Sequence, residues 1–291
     1  MKKIRFIVNP ISGIGKQRVI EKAVAKHLDT QLFEYEITYT KAPGHAIELS
    51  KEAAEQGLDM VVAVGGDGSV QEAGIGLLNS STALGIIPTG SGNGLALHLG
   101  IPTNVARAVK LLNSGVPKSI DTGEVNGRPF IGTAGVGFDA HIGHCFDLAP
   151  RRGFLSYAQI IFREIFRYQP QEYHIELPNQ SIHTKAFVIT FANSSQFGNN
   201  AVIAPKARID DGLLDICIIK PFSLITAAGM VLRLFTKTMD RSSYITILTA
   251  TSVKIKTRIP IVHLDGEPIS IDDELSVSIN PLSLNVIVPN T

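Results

Sequence analysis

The chain has 291 residues, of which 44% are hydrophobic, 27 are basic and 26 are acidic. This balance of charge excludes a broad basic field, so no nucleic-acid partner is expected. Two distant cysteines support neither a disulfide framework nor a zinc ribbon. The apolar stretch 216–235 contains Lys220, Pro221 and Arg233, which argues against a membrane span. The expected location is the cytoplasm, with peripheral contact to the inner face of the membrane as a further expectation.

The first third of the chain alternates strand-like and helix-like patterns. Strands are predicted at 3–8, 33–40, 60–64 and 83–87, and helices at 16–28, 45–56 and from the turn at 65–68 through 79. This alternation predicts parallel βαβ units with right-handed crossovers. Ligands of such sheets collect at the carboxyl ends of the strands. Four polar, turn-forming loops follow these strands, at 9–13, 40–45, 65–68 and 88–94, and their convergence favours a phosphate-binding site.

The loop at 65–68 has the residues best suited to bind phosphate and a metal ion. Its glycines let an anion approach the backbone, and Ser69 and Glu72 have the S-x-x-E spacing of a capping box, which predicts a helix directly behind them. A helix N-terminus binds phosphate, so Asp67 would repel the ligand unless a divalent cation lay between them. We therefore interpret Asp67 as a contact to Mg²⁺ and nucleotide. The alternative is that Asp67 only completes a tight turn through its own hydrogen bonds.

Two common nucleotide motifs are absent. A P-loop ending at Lys16 would require Gly at position 10 and Ser or Thr at position 17, where the sequence has Pro10 and Gln17. No G-x-G-x-x-G motif with a suitably placed acidic residue follows a strand. A dinucleotide fold of the usual kind is thus disfavoured.

From residue 123 onward, short strand-like runs dominate and predict an antiparallel sandwich or barrel. They lie at 130–134, 172–177, 186–192, 213–219, 244–249, 252–256, 259–264, 275–279 and 284–288. The predicted fold is therefore an α/β domain at 1–122 and a β-sandwich domain at 123–291, with the active site in a cleft between them. The last strand could return to the first domain.

Two apolar segments interrupt these strands, at 154–168 and 224–235. The first is flanked or punctuated by four arginines, namely Arg151, Arg152, Arg163 and Arg167. Each segment is interpreted either as an amphipathic helix on an anionic membrane surface or as a helix covering the sandwich. A third feature, His141-x-x-His144-Cys145, has metal-binding residue types. Without a further ligand cluster in the sequence, these residues are interpreted as polar groups of a loop or helix start.

Five motifs follow one another along nearly the whole chain: Asn9-Pro10-x-Ser12-Gly13, Thr40 with Gly44-His45-Ala46, Gly65-Gly66-Asp67-Gly68-Ser69 with Glu72, Gly90-Ser91-Gly92-Asn93, and Asp265-Gly266-Glu267. This ordered set resembles the lipid-kinase family of diacylglycerol and sphingosine kinases, including its bacterial branch. The resemblance implies a phosphofructokinase- or NAD-kinase-like ATP domain, a β-sandwich domain, and Mg²⁺-dependent phosphoryl transfer from ATP to a lipid hydroxyl. It places the nucleotide contacts on Asn9, Pro10, Ser12, Gly13, Thr40, Gly65, Gly66, Asp67, Gly68, Ser69, Glu72 and Ser91.

The resemblance also places the general base on Glu267, where a carboxylate could take the proton of the lipid hydroxyl. Asp265 could orient a metal or the base, and both residues could instead belong to a plain Asp-Gly turn. The family's structural Mg²⁺ site falls on Asp211 with the backbone oxygens of Arg208 and Leu213. Oxygen-only ligation suits that cation.

Several alternatives stay open. Ser69 and Ser91 stand where many family members have threonine, and Gly94 departs from the Asp-Phe of many bacterial members, so the identity of the lipid is not fixed. The acceptor could be soluble, such as NAD or a sugar phosphate, or the chain could be an inactive lipid-binding homologue. The expected partners are a lipid substrate and the membrane surface, and a homodimer is left open.

Overall fold

The computed structural model describes residues 1–11, 17–147, 154–257, 261–271 and 274–290. The chain divides into two compact units. The first comprises Met1–Asp121 with Pro281–Thr291, and the second comprises Thr122–Asn280. The strands at 116–125 and 274–288 each have residues in both units. The second of them returns the chain to the first unit, which therefore includes the C-terminal segment.

The first unit is a parallel sheet covered by helices. Its strands run in the order β2-β1-β3-β4, each pair parallel, and the end of the last strand pairs with β4 at Val286 and Leu84. Every residue of β3 is buried, as its continuous apolar sequence predicts. Helices α1 and α5 pack on one face of the sheet, whereas α2 and α3 contact each other. The elements are β1 (Lys2–Val8), α1 (Gln17–His27), β2 (Phe33–Tyr39), α2 (His45–Glu55), β3 (Met60–Gly65), α3 (Asp67–Gly76), β4 (Ala83–Pro88), α4 (Gly94–His98) and α5 (Val105–Ser114).

Within the described residues, the second unit contains antiparallel strands and three α-helices. These are β5 (Val116–Val125), β6 (Arg128–Phe130), β7 (Thr133–Gly137), α6 (Phe138–Asp147), α7 (Phe154–Glu164), β8 (Gln171–Leu177), β9 (Gln180–Ala186), β10 (Val188–Ala192), β11 (Leu214–Ile219), α8 (Leu224–Phe235), a 3₁₀ turn (Met239–Arg241), β12 (Ile245–Ala250), β13 (Ser252–Lys256), β14 (Ile261–Leu264), β15 (Glu267–Ser270) and β16 (Glu274–Val288). β5 begins and β16 ends in the first unit.

Two layers of strands enclose the core of the second unit. One sheet has the order β12-β11-β10-β7-β14-β15, and the other layer runs β16-β13-β8-β9, with antiparallel pairing throughout. Large side chains from both layers meet between them, among them Phe191 and Tyr173. Helices α6, α7 and α8 share a second cluster with β10, β11 and β12. The predicted fold class, a parallel α/β domain followed by a β-sandwich, is confirmed.

Some predicted elements were wrong. The run 130–134 is split, because Ile131 and Gly132 leave the strand and donate their N–H groups to a side chain described below. The runs 275–279 and 284–288 form one strand, β16. Residues 141–145, predicted as polar groups of a loop or a helix start, lie inside α6. The helix α5 was missed, although Asn104 caps it by accepting the N–H of Arg107.

In the described part of the chain, no helix is long and apolar enough to cross a membrane. Helix α8, with 12 residues, is the most apolar of the long ones. At a rise of about 1.5 Å per residue it is about 18 Å long, against about 30 Å for the hydrocarbon core of a bilayer.

Candidate active site

The loop after β1 is joined to the turn after β3. The side-chain amide of Asn9 donates to the hydroxyl of Ser69 over 3.1 Å, and the carbonyl oxygen of the same amide accepts the N–H of Ile11 over 3.0 Å. A Cβ atom on Gly65 would lie 2.4 Å from Ser69, so the turn has room for the serine only because residue 65 is glycine. Pro10 follows Asn9 in this loop, while Ser12 and Gly13 lie outside the described residues.

Asp67 joins the turn after β3 to the loop after β4. One carboxylate oxygen accepts the N–H of Asn93 over 2.8 Å and the other accepts the N–H of Gly94 over 2.6 Å. The two loops also touch through their glycines, since a Cβ atom on Gly90 would lie 2.5 Å from Cα of Gly66. Asp67 therefore braces the neighbouring loop at the start of α4.

The electrostatics of Asp67 reflect this enclosure. Burial raises the pKa of the Asp67 carboxyl above its ordinary value, and the N–H groups of Gly94 and Asn93 work in the opposite direction. These contacts reach beyond the turn to which Asp67 belongs, so Asp67 does more than complete that turn by hydrogen bonding. Together with the N–H of Asp67 itself, these donors occupy three of the roughly four acceptor sites of the carboxylate, which leaves about one for a cation. The contact to Mg²⁺ and nucleotide stays a prediction.

The predicted capping box of Ser69 and Glu72 is wrong. Helix α3 begins at Asp67 with Gly66 as its N-cap, so Ser69 lies within the first turn of the helix. The carboxylate of Glu72 instead accepts the N–H groups of Gly44, over 2.9 Å, and Ala46, over 3.2 Å. Sequence spacing favoured a local partner, but the N-terminus of α2 lies beside α3 and supplies two N–H donors.

The loop after β2 is thereby drawn into the same network. Glu72 holds its end, and Thr40 at its start donates its backbone N–H to the carbonyl of Val8 over 3.0 Å. Hydrogen bonds or glycine contacts thus link the loops after β1, β2, β3 and β4. The predicted convergence of the four loops is borne out by these contacts. Ser91 is exposed in the fourth loop.

This arrangement can bind phosphate. By helix geometry the N–H groups of Gly68 and Ser69 have no partner within the helix, whereas the N–H of Asp67 bonds to its own carboxylate. The helix dipole gives this end a partial positive charge. Gly68 adds no side chain that would block access to them. The fit to a nucleotide therefore lies in backbone donors and glycines, with Asn9 and Ser69 as neighbouring polar side chains.

In the second unit, Asp265 and Gly266 form the turn between β14 and β15. Their φ angles are 49° and 91°, and Leu264 pairs with Glu267, which is the geometry of a two-residue type I′ hairpin. The turn interpretation of this Asp-Gly pair is therefore correct. Glu267 is exposed as the first residue of β15.

Asp265 also fixes this turn to a distant segment of the chain. Its carboxylate accepts three backbone N–H groups, from Ile131 over 2.8 Å, Gly132 over 2.7 Å and Thr133 over 2.9 Å. Burial raises the pKa of the Asp265 carboxyl, while these three donors and nearby His263 oppose that rise. Asp265 thus holds the hairpin, and its role in orienting a metal or the base stays a prediction.

The structure reveals a second brace that sequence analysis missed. His263 is buried, with Nε2 3.1 Å from the carboxylate of Asp139, and its Nδ1 accepts the N–H of Gly266 over 3.3 Å. The same oxygen of Asp139 accepts the hydroxyl of Thr190 over 3.2 Å. A Cβ atom on Gly135 would lie 2.5 Å from that oxygen. No local motif could reveal a pair separated by 124 residues.

The predicted structural metal site lies in the turn before β11. The carboxylate of Asp211 accepts the N–H of Leu213 over 3.1 Å, and Arg208 forms an ion pair with Asp210 at 3.6 Å. Sequence analysis missed Asp215, whose pKa is raised to about 6 by burial and then by the negative charge of Asp211. Two mutually repelling carboxylates are the kind of group that a hard divalent cation would stabilise, and the Mg²⁺ site itself stays a prediction.

Comparison with known proteins adds the family. Residues 3–125 match the diacylglycerol kinase catalytic domain, and residues 132–288 match the YegS C-terminal NAD kinase beta sandwich-like domain. A diacylglycerol kinase of Bacillus subtilis (strain 168) is 34% identical over 80% of this chain and 80% of its own. A "probable lipid kinase YegS-like" protein of Enterobacter sp. (strain 638) is 30% identical over 87% of this chain and 85% of its own.

Solved structures agree on the fold. The crystal structure of a diacylglycerol kinase from Bacillus anthracis str. Sterne superposes with a TM-score of 0.75, at 23% identity, covering 99% of this chain and 97% of that one. The order of motifs, the two folds and these matches lead to one conclusion. The chain belongs to the diacylglycerol kinase family of lipid kinases, in the group that carries a YegS-type C-terminal domain.

Proposed function

We propose that this protein is an ATP- and Mg²⁺-dependent kinase that transfers the γ-phosphoryl group to the hydroxyl of a diacylglycerol- or sphingoid-like lipid. The observation that carries the proposal is the network of four strand-end loops around the N-terminus of α3. Kinase family membership supplies the reaction class. We infer the lipid acceptor from the names of the relatives, and the nucleotide from the chemistry of the loops.

In the first unit, the backbone donors at the start of α3 would hold the phosphates. Asn9 and Ser69 are hydrogen-bonded to each other at this end of the sheet, and either could turn a polar atom toward the nucleotide. Asp67 would hold Mg²⁺ with the acceptor site that its N–H donors leave open. Bound Mg²⁺ would neutralise charge that develops on the phosphate oxygens.

In the second unit, Glu267 would act as the general base. A lipid hydroxyl is a weak nucleophile, so removal of its proton as the new oxygen–phosphorus bond forms lowers the barrier. The proton would pass to the carboxylate of Glu267, and ADP would leave as its bond to the γ-phosphorus breaks. Asp265 is the weaker choice for this role because three backbone N–H groups already bind its carboxylate.

Exposed apolar side chains in the second unit support peripheral contact with the membrane that holds the lipid. On α8, Ile225 is 92% exposed and Leu232 is 63% exposed, and Phe162 on α7 is 72% exposed. Arg163 stands beside Phe162, and although its guanidinium pairs with Glu164, its side chain is 57% exposed next to the aromatic ring. That combination suits an anionic bilayer surface. The opposite faces of α7 and α8 pack on the sheet. These faces fit the other interpretation, in which the helices cover the sandwich.

The proposal is tested by incubating the purified full chain with γ-labelled ATP and Mg²⁺ in two parallel reactions. One contains mixed micelles of diacylglycerol and sphingoid bases, and the other contains NAD and sugar phosphates. We expect label in the lipid extract only, and its loss when Mg²⁺ is chelated. Label only in the soluble products would establish the alternative acceptor. No label in either reaction, with ATP binding intact, would indicate an inactive homologue.

A further inference from the structure

Three side chains of different metal-binding types meet in the second unit, outside the residues used above. His141 and Cys145 are four residues apart on α6, which places them on one face of the helix, and Glu164 is the last residue of α7. Nε2 of His141 lies 3.0 Å from an oxygen of Glu164 and 3.6 Å from Sγ of Cys145. The three atoms all lie within 4.8 Å of one another.

These separations are close to the edges of a metal tetrahedron. Zinc lies about 2.0 Å from imidazole nitrogen, about 2.0 Å from carboxylate oxygen and about 2.3 Å from thiolate sulfur. Tetrahedral angles then give edges of about 3.3 Å between nitrogen and oxygen and about 3.5 Å between nitrogen and sulfur. Two of the three edges therefore match a single ion within a few tenths of an ångström. The sulfur and the carboxylate oxygen, which lie within 4.8 Å of each other, would have to stand about 3.5 Å apart around it.

An ion pair explains only part of this cluster. Glu164 is buried, and its other oxygen binds the guanidinium of Arg163 over 2.7 Å, so one oxygen faces His141 and the other is engaged elsewhere. An ion pair among His141, Glu164 and Arg163 does not account for the thiol of Cys145 beside the imidazole. One carboxylate and one thiolate would balance the charge of a divalent cation, and sulfur with nitrogen favours zinc over Mg²⁺.

We propose that His141, Cys145 and Glu164 form a Zn²⁺ site, with a water molecule as the fourth ligand. On binding, the thiol of Cys145 would lose its proton to solvent and form the zinc–sulfur bond. The His141 side chain is 34% exposed, which gives an ion a path from solvent. The site joins α6 to the end of α7. Exposed His144, which the sequence pairs with His141, has no part in it.

The test uses the tag-free full chain after treatment with a chelator, titrated with Co²⁺ and followed by absorption. We expect saturation at one equivalent, with visible bands typical of four-coordinate Co²⁺ and a near-ultraviolet thiolate-to-cobalt band, all removed by one equivalent of Zn²⁺. Excess Mg²⁺ should leave them unchanged. Zn²⁺ should also raise the Tm of the chelator-treated protein, because an ion that binds only the folded state stabilises it.

Two variants and one control identify the ligands. Cys145→Ala should abolish the thiolate band and the Zn²⁺-dependent rise in Tm, and Glu164→Gln should weaken Co²⁺ binding more than tenfold. If Glu164→Gln fails to fold, Cys145→Ala still decides the matter. His144→Gln should bind like the parent. The proposal is overturned if no saturable Co²⁺ spectrum forms, if Cys145→Ala keeps it, or if His144→Gln loses it. None of these readouts depends on kinase activity.

Discussion

The turn after β3 and the turn between β14 and β15 both pair an aspartate with glycine, and both use the aspartate as a brace. Asp67 accepts two backbone N–H groups from the loop after β4, and Asp265 accepts three from residues 131–133, where β7 begins. The acidic residues that follow the two turns differ in their surroundings. Glu72 binds the N-terminus of α2, whereas Glu267 is exposed at the start of β15.

The comparison shows that an acidic residue next to a glycine turn is not by itself evidence of a catalytic residue. In both turns the aspartate is used to hold one loop against another, which fixes the position of the backbone. In our proposal, the chemistry is left to what each braced turn presents, which is backbone N–H donors in the first unit and Glu267 in the second. The predictions below test this division, in order of decreasing effect.

The largest effect is expected for Glu267→Gln. If Glu267 takes the proton, kcat should fall by about 10²- to 10⁴-fold, which is the usual contribution of a general base. The KM for ATP and the Tm should stay close to those of the parent, because Glu267 is exposed. Steady-state kinetics with a micellar lipid and thermal unfolding measure the three quantities. A kcat within threefold of the parent would remove Glu267 from the mechanism.

The next effect is a loss of stability in Asp265→Asn. An amide offers one acceptor oxygen and one NH₂ group where a carboxylate accepted three N–H groups, so at least one buried donor loses its partner. We expect a decrease in the free energy of unfolding of about 2 to 4 kcal/mol. Denaturant unfolding of the variant measures it. A loss of activity with unchanged stability would instead assign Asp265 to the chemistry.

Much of this organisation could be predicted from the sequence. Continuous β-branched runs such as 60–64, separated by helical spacing, identified the parallel sheet, because a strand buried on both faces needs apolar residues throughout. The same rule located the strand-end loops. The motif order identified the family, and Asp-Gly at 265–266 identified a hairpin turn because that pair tolerates positive φ angles.

What sequence could not predict are contacts between distant segments. Glu72 has the spacing of a capping-box residue for Ser69, yet its carboxylate accepts two N–H groups at the start of α2. His263 and Asp139 carry no motif, and only the packing of α6 against the hairpin brings them together. Likewise, Glu164 could not be predicted from the sequence as a partner of His141, because it lies on another helix.

Asp67→Asn tests the brace in the first unit. The asparagine can accept only one of the two N–H groups of Asn93 and Gly94, so we expect a loss of about 1 to 3 kcal/mol in the free energy of unfolding. The KM for ATP should rise because the loop after β4 is released. The matched control is Asp59→Asn, whose exposed carboxylate accepts one backbone N–H, from Lys3. Equal losses in the two variants would show that Asp67 is not a special brace.

His263 tests whether the hairpin needs its second brace. His263→Gln keeps a donor for Asp139 and an acceptor for Gly266, whereas His263→Phe keeps neither. We expect kcat to fall about tenfold in the phenylalanine variant, a cost of about 1.4 kcal/mol, with the KM for ATP unchanged and with partial recovery in the glutamine variant. Equal kcat values for the two variants would mean that the hydrogen bonds of His263 do not position Glu267.

The smallest effect is expected for Glu72→Gln, the same chemical change as Glu267→Gln made at the other turn. Glutamine still accepts one of the two N–H groups at the start of α2 but carries no charge to complement the helix dipole. We expect a loss of about 0.5 to 1 kcal/mol in stability and a kcat within twofold of the parent. Denaturant unfolding and lipid kinase assays on the two variants, side by side, decide the comparison. If Glu72→Gln lowered kcat as much as Glu267→Gln while stability was unchanged, Glu72 would belong to the reacting site and the two turns would play the same role.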